Sequence, residues 1–280
     1  MNVSRFFSVL IMVAAILMPV SATAFDLKPV TAKEAAEKLG RLTVLDARPL
    51  KQWEKGHLPG AFSFSWETYT QTDKDGVKYR ILPPVRLAEA LGNLGIRNTD
   101  SVLVYGDADS SWGGEGWLVW TLSWLGHKGT IYFLDGGIQS WQKHGQALST
   151  SPGAKRKPAV YAVAVNPRIN TSHTRIKTDL SRITLIDTRN YLTEWLPGHL
   201  PGAVHIPWEK FYQGPERRIV GRKTLDELLK KQGVDMKKTL VFYCTGGIRS
   251  GFAWMVAVMN GYPAVINFEG GTEEWNRFNP

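Results

Sequence analysis

The sequence predicts an α/β protein of two homologous domains, each a central parallel β-sheet flanked by helices. Three observations lead there. The first is an internal repeat. "LTVLDARPLKQWEKGHLPGAFSFSW" (Leu42 to Trp66) returns as "ITLIDTRNYLTEWLPGHLPGAVHIPW" (Ile183 to Trp208), and "LGIRNTDSVLVYG" (Leu94 to Gly106) returns without a gap as "QGVDMKKTLVFYC" (Gln232 to Cys244). "FLDGGIQSW" (Phe133 to Trp141) returns as "NFEGGTEEW" (Asn267 to Trp275). A period of about 140 residues describes whole domains rather than the short units of a solenoid. The second observation is alternation. Short β-rich apolar runs ("LTVLDA", "SVLVYG", "TIYFLDGG" and "ITLIDT", "TLVFYC", "AVINFEGG") are separated by helix-sized segments ("TAKEAAEKLG", "PVRLAEALGNLG", "TLDELLKKQG", "SGFAWMVAVMNG"). Strands apolar on both faces, joined by crossover helices, form parallel sheets covered on both sides. The third is "STSPGAKRKPA" (Ser149 to Ala159), where Pro, Gly, Ser and Lys gather as in linkers.

Taken in chain order, Met1 to Ala24 comes first. Arg5 supplies a basic start, an apolar run extends from Phe6 to Val20, and Ala22-Thr23-Ala24 gives a small-residue cleavage site. This is the pattern of a secretory signal peptide cleaved after Ala24. The apolar run falls short of the roughly 20 residues that span a bilayer. The expectation is therefore export, to a periplasm or beyond, with no stable membrane insertion after cleavage. Residues 25–148 form the first domain, 149–159 the linker and 160–280 the second domain. The composition, 43% hydrophobic and 21% charged, is globular, and the net charge of +9 favours anionic partners. No Lys/Arg block interleaved with aromatics appears, so nucleic acid is not an expected partner. Six histidines and one cysteine show no metal-ligand spacing, and neither a metal nor another cofactor is expected.

The repeat separates scaffold from chemistry. Features shared by the halves are best explained by the fold they share. "GHLPGA" at Gly56 and again at Gly198 reads as a turn, which gives His57 and His199 a structural role. "GGxxxW" reads as a turn feeding a packed helix. Asp46 with Arg48, and Asp187 with Arg189, read as ion pairs or loop braces, although Arg189 is ambiguous because its half carries the thiol.

The halves differ in the loop after one strand. In the second half it reads "CTGGIRS", Cys244 to Ser250, and holds the chain's only cysteine. In the first half it reads "GDADSSWGGEG", with Gly106 opposite Cys244. The fold thus does not require a cysteine at that strand end. A lone thiol in an exported chain cannot form an internal disulfide and is either inert or placed for chemistry. Gly246 and Gly247 let several backbone N–H groups turn inward, and the positive end of the next helix adds to them. Such a nest stabilises an anion, and a thiolate is one. Arg249 either supports an anionic substrate or pairs with a carboxylate. Trp112 of the first half either walls a cleft or fills a core.

"LDAR" and "IDTR", the paired "GHLPGA", "YCTGGIRS" and "GGxxxW" together resemble the tandem-domain rhodanese (sulfurtransferase) family over nearly the whole mature chain. The resemblance implies two rhodanese-like domains facing one another across a cleft, the first inactive and the second catalytic. It also implies a double displacement. Cys244 takes a sulfane sulfur from a small anionic donor, thiosulfate ahead of 3-mercaptopyruvate, and the resulting persulfide passes it to cyanide, a thiol or a sulfur-accepting protein. Thr245, Gly246, Gly247, Ile248, Arg249 and Ser250 would cradle the persulfide anion, and Arg189 would help bind the donor. A persulfide carrier without turnover needs the same loop. A cysteine phosphatase or arsenate reductase also sets a thiolate and an arginine around an anion, but has five residues between them. Here four intervene, and the tighter loop suits one sulfur.

Overall fold

The structure is a computed structural model that describes residues 25–279; the expected signal peptide, residues 1–24, lies outside them. The first half runs β1 (Leu27–Val30), α1 (Ala32–Lys38), β2 (Thr43–Asp46), α2 (Leu50–Lys55), β3 (Phe62–Ser63), α3 (Trp66–Tyr69), β4 (Thr70–Gln71), β5 (Arg80–Ile81), α4 (Pro84–Asn93), β6 (Val102–Tyr105), α5 (Gly114–Trp124), β7 (Ile131–Leu134) and α6 (Gly137–Lys143). The second runs α7 (His173–Asp179), β8 (Ile183–Asp187), β9 (Val204–His205), β10 (Tyr212–Gln213), β11 (Arg218–Ile219), α8 (Arg222–Lys231), β12 (Thr239–Tyr243), α9 (Ile248–Met259), β13 (Val265–Phe268) and α10 (Gly271–Phe278).

Each half holds one parallel sheet, in the order β1-β7-β6-β2-β3 and β13-β12-β8-β9. The α/β architecture and the parallel sheets follow the sequence expectation. Central strands β2 and β6 are buried along their whole length, as strands covered on both faces must be. The two-residue strands β4/β5 and β10/β11 add a small antiparallel ribbon to each half. Residues 150–166 form neither helix nor strand. They run along the first half, with the Ala159 N–H donating to the Gly92 carbonyl and the Asn166 N–H to that of Trp124. Among the described residues no helix is long and apolar enough to cross a membrane.

The halves are joined by helices α5 and α9, both buried almost throughout. Trp117, Trp120, Phe252 and Trp254 belong to a single apolar cluster that is continuous across the join. The helices approach so closely because each presents a glycine to the other. A Cβ on Gly116 would lie 2.2 Å from the Phe252 Cα, and one on Gly251 would lie 3.0 Å from the Trp117 Cα.

The ribbons clasp reciprocally. The Ile81 N–H of β5 donates to Glu269 at the end of β13, and the Ile219 N–H of β11 donates to Asp135 at the end of β7. Arg80 adds ion pairs to Glu269 (2.6 Å) and Glu274 (2.8 Å) in the opposite half. Each half therefore lays its ribbon over the other's strand ends, where ligands bind in open α/β sheets.

A mid-helix Gly→Ala change ordinarily favours a helix by up to about 1 kcal/mol. At Gly116 the sign reverses, because the new methyl meets backbone. Gly116→Ala is expected to lower Tm by roughly 2–12 °C, from about 1–3 kcal/mol of overpacking. Differential scanning calorimetry checks it; an unchanged or higher Tm would show that the helices are free to separate.

Candidate active site

Cys244 follows the last residue of β12, in the loop that leads into α9. The loop's shape follows from where its carbonyls go. The Cys244 carbonyl accepts from the Thr272 N–H (2.9 Å) and that of Thr245 from the Glu273 N–H (3.1 Å), both in the first turn of α10. The Gly247 carbonyl accepts from the Asn267 side chain (3.1 Å) and from the Gly251 N–H. With the carbonyls turned outward, the N–H groups from Thr245 to Ser250 have no protein acceptor among the described residues. Gly247 takes φ +82°, the left-handed conformation that starts α9. Cys244 is 1% exposed, and the Ser250 hydroxyl lies 3.6 Å from its Sγ while donating to Asn267 at 2.7 Å.

The thiol opens onto a cleft of about 360 Å³ between the halves. The second half contributes Cys244, Thr245, Gly246, Ile248, Arg249 and Glu194; the first contributes Trp66, Tyr79 and Trp112. Trp112 is 56% exposed with its ring beneath the Arg249 guanidinium at 5.9 Å, so it is a wall and not a core residue. Tyr79 takes φ +59° and covers Gly246 so closely that a Cβ there would lie 2.4 Å from the tyrosine's own. The half without a thiol thus builds the aromatic side of the cleft.

Arg249 reaches both alternatives open from sequence. It lines the cleft, and it is also paired: its Nη1 and Nη2 donate to the two oxygens of Glu194 at 2.6 and 2.7 Å. Nη2 and the carboxylate are further bridged by the Thr245 hydroxyl, 2.8 Å from each. Burial opposes the charge on Glu194, but the Arg249 guanidinium outweighs it and draws the carboxyl down to about 2.

Arg189, expected to help bind the donor, is held in a brace. Its guanidinium grips Asp187 through Nε (3.0 Å) and Nη2 (2.6 Å), and Nη2 also donates to the Gly198 carbonyl at 2.7 Å. It lines not the Cys244 cleft itself but a neighbouring one that shares Glu194 and Thr245 with it. In the half without a thiol, Arg48 makes the same contacts with Asp46 (3.0 and 2.6 Å) and the Gly56 carbonyl (2.7 Å). An arrangement present with and without the thiol braces the "GHLPGA" turn. The histidines of that turn are stacked on Trp53 and Trp195, away from Cys244.

Gly106, the counterpart of Cys244, faces no empty pocket. A Cβ there would lie 2.2 Å from Oε2 of Glu115, which fills the space a thiol would need. Burial raises the Glu115 carboxyl to about 7; the Tyr212 hydroxyl donates to Oε1, and Oε2 has no partner.

Sequence reasoning missed Glu194, Glu115, Trp66 and Tyr79. A signal for Glu194 is present in the repeat: twelve positions separate Asp187 from His199, against eleven between Asp46 and His57. The extra residue turns the counterpart of α2 into a π-helical turn, Tyr191–Trp195, which carries Glu194. Such insertions often mark functional sites.

Two parallel-sheet halves, with one thiol in an N–H-rich loop and a plugged counterpart in the other half, define a tandem α/β protein. The Rhodanese-like domain matches the chain twice, at residues 31–144 and 172–278. The protein belongs to the rhodanese sulfurtransferase family. Among its relatives, "Thiosulfate sulfurtransferase" of Pseudomonas aeruginosa is 28% identical over 253 residues, covering 86% of this chain and 91% of that protein. "Sulfur carrier protein TtuD" of Thermus thermophilus is 29% identical over 244 residues, covering 80% and 83%. The 3-mercaptopyruvate sulfotransferase SseA of Escherichia coli shares the fold, with a TM-score of 0.76 at 22% identity over 87% of this chain and 98% of that one.

If both arginines are braces, Arg48→Ala and Arg189→Ala will each cost about 3–5 kcal/mol by stranding a buried carboxylate. Thermal melts should fall similarly for both; a loss of donor affinity without a fall in Tm for Arg189→Ala would restore its binding role. Glu115 gives a pH dependence. Its folded pKa is raised, so the native state holds a proton that the unfolded state has lost between about 4.5 and 7. Stability should therefore decline as pH rises through that window, by on the order of 3 kcal/mol, and level off above it. Glu115→Gln should flatten this part of a urea-denaturation profile; an unchanged slope would reject the assignment.

Proposed function

We propose that the protein is a sulfurtransferase that moves a sulfane sulfur through a persulfide on Cys244. The observation that carries this reading is a buried thiol, open only to the cleft, beside backbone N–H groups that no protein acceptor uses. Those groups and the start of α9 favour a sulfur anion at either stage of the cycle. The Cys244 thiolate attacks the outer sulfur of the donor, an S–S bond forms, and the donor's own bond to that sulfur breaks. With thiosulfate the leaving group is sulfite. The acceptor, cyanide or a thiolate, then bonds to the outer sulfur, and the bonding pair returns to Cys244 as thiolate. The four-residue interval between Cys244 and Arg249 favours sulfur over phosphoryl transfer.

Thiosulfate as donor is supported by the names of several relatives at 26 to 28% identity. A second reading, a carrier that receives sulfur from one protein and hands it to another, is favoured by the Thermus thermophilus relative's name. Slow turnover with small donors, beside fast uptake from a protein persulfide, would mark the carrier. Export of the mature chain from Phe25 is proposed on the composition of residues 1–24.

Intact mass after incubation with thiosulfate tests the central step. The wild type should gain one sulfur atom and Cys244→Ser none. No gain with any sulfane donor, or an equal gain in the variant, would sink the reading.

A further inference from the structure

Among the residues lining the cleft, Glu194 and Arg249 are the only ones with charged side chains, apart from the thiol when ionised. They cancel. Arg249 gives both terminal nitrogens to Glu194, and the Thr245 hydroxyl ties the pair together. The cation that would draw in an anionic donor is therefore compensated before any donor arrives. In the first half the position before the stacked tryptophan is the uncharged Gln52, on the ordinary helix α2, where the second half has Glu194 on a π-helical turn. The remaining walls are Trp66, Tyr79 and Trp112, and the cleft is of a size that takes organic ligands. Thiosulfate, a compact dianion, leaves most of that space and all of the aromatic surface unused.

We infer that Glu194 sets donor selectivity, making the cleft a weak site for doubly anionic donors and a better one for an organic persulfide, R–S–SH, bearing at most one negative charge. The inference rests on the sulfurtransferase reading above. In the transfer, the Cys244 thiolate bonds to the outer sulfur of R–S–SH, the R–S–S linkage breaks, and R–S⁻ leaves with the bonding pair. The proton stays on the transferred sulfur, and no oxidant or reductant is consumed. The body R lies against the aromatic walls contributed by the first half.

The test measures, by mass spectrometry, the rate of persulfide formation on Cys244 with thiosulfate and with benzyl persulfide, and the concentration of each giving half the maximal rate. Glu194→Gln uncovers the Arg249 charge. It should lower the half-saturating thiosulfate concentration about tenfold, and that of benzyl persulfide by less than about twofold. The thiosulfate gain should fade when ionic strength is raised to about 0.5 M, which a purely structural role would not produce. An unchanged or weakened response to thiosulfate would overturn the inference. Should Glu194→Gln fail to fold, Trp112→Asn serves, since asparagine tolerates the left-handed backbone of that position, φ +55°. It should weaken benzyl persulfide about tenfold with thiosulfate nearly unaffected; equal effects on both donors would overturn the inference. Sulfur loading in the wild type with an unaltered donor ratio in the variants defeats the selectivity claim alone. No loading from either donor defeats the sulfurtransferase reading as well.

Discussion

The contact between α5 and α9 at Gly116 and Gly251 is the constraint on which the rest of the molecule depends. At that crossing there is room for backbone and nothing else, because a methyl on either glycine would meet an α-carbon of the opposite helix. The closeness lets one apolar cluster run through both halves. It also decides what surrounds the thiol. Helix α9 begins at the cradle, and α5 begins just after Trp112, so the crossing fixes the distance between the nucleophile and the wall opposite. A looser packing would open the cleft to water and weaken each electrostatic interaction within it.

Duplication lets one half serve as a control for the other. The Asp46–Arg48–Gly56 brace and the Asp187–Arg189–Gly198 brace agree in every contact distance to about 0.1 Å. The strand-end tyrosines correspond as well: Tyr105 accepts from the Leu58 N–H and Tyr243 from the Leu200 N–H, each at 3.1 Å. These groups hold the loop that follows each central strand in one geometry, whatever its chemistry. Against that constant frame the differences stand out. The first half has glycine at the strand end and Glu115 in the vacated space, whereas the second has Cys244 and an unspent set of N–H groups. The half without a thiol fills its own strand-end space and also walls the cleft of the other.

The loop N–H groups and the Arg249–Glu194 pair present different electrostatics to the cleft. Backbone N–H groups are fixed dipoles that need no counter-charge and keep their orientation through the cycle. The guanidinium is a full charge, and a carboxylate held at about 2 stays ionised at any ordinary pH and keeps it compensated. The two therefore differ in kind: the backbone offers dipoles that no protein acceptor uses, the side chains a charge already compensated.

The sequence by itself determined the two-domain α/β plan and singled out the one strand end at which the halves differ, Gly106 in the first and Cys244 in the second. Repeated segments report shared backbone, and a non-repeated cysteine at a repeated strand end reports something the backbone does not need. The loop glycines and the arginine that follows them, with four residues between it and Cys244, were legible for the same reason, being local in the chain. Only the tertiary structure showed the partners of the arginines. Arg189 and Arg249 look alike in sequence, yet one grips an aspartate two residues away and the other a glutamate 55 residues away. The aromatic wall was equally hidden, since Trp66, Tyr79 and Trp112 meet Cys244 only across the domain join. Local spacing encodes turns, helices and strand ends; a cleft assembled from both halves depends on how two glycines let two helices touch.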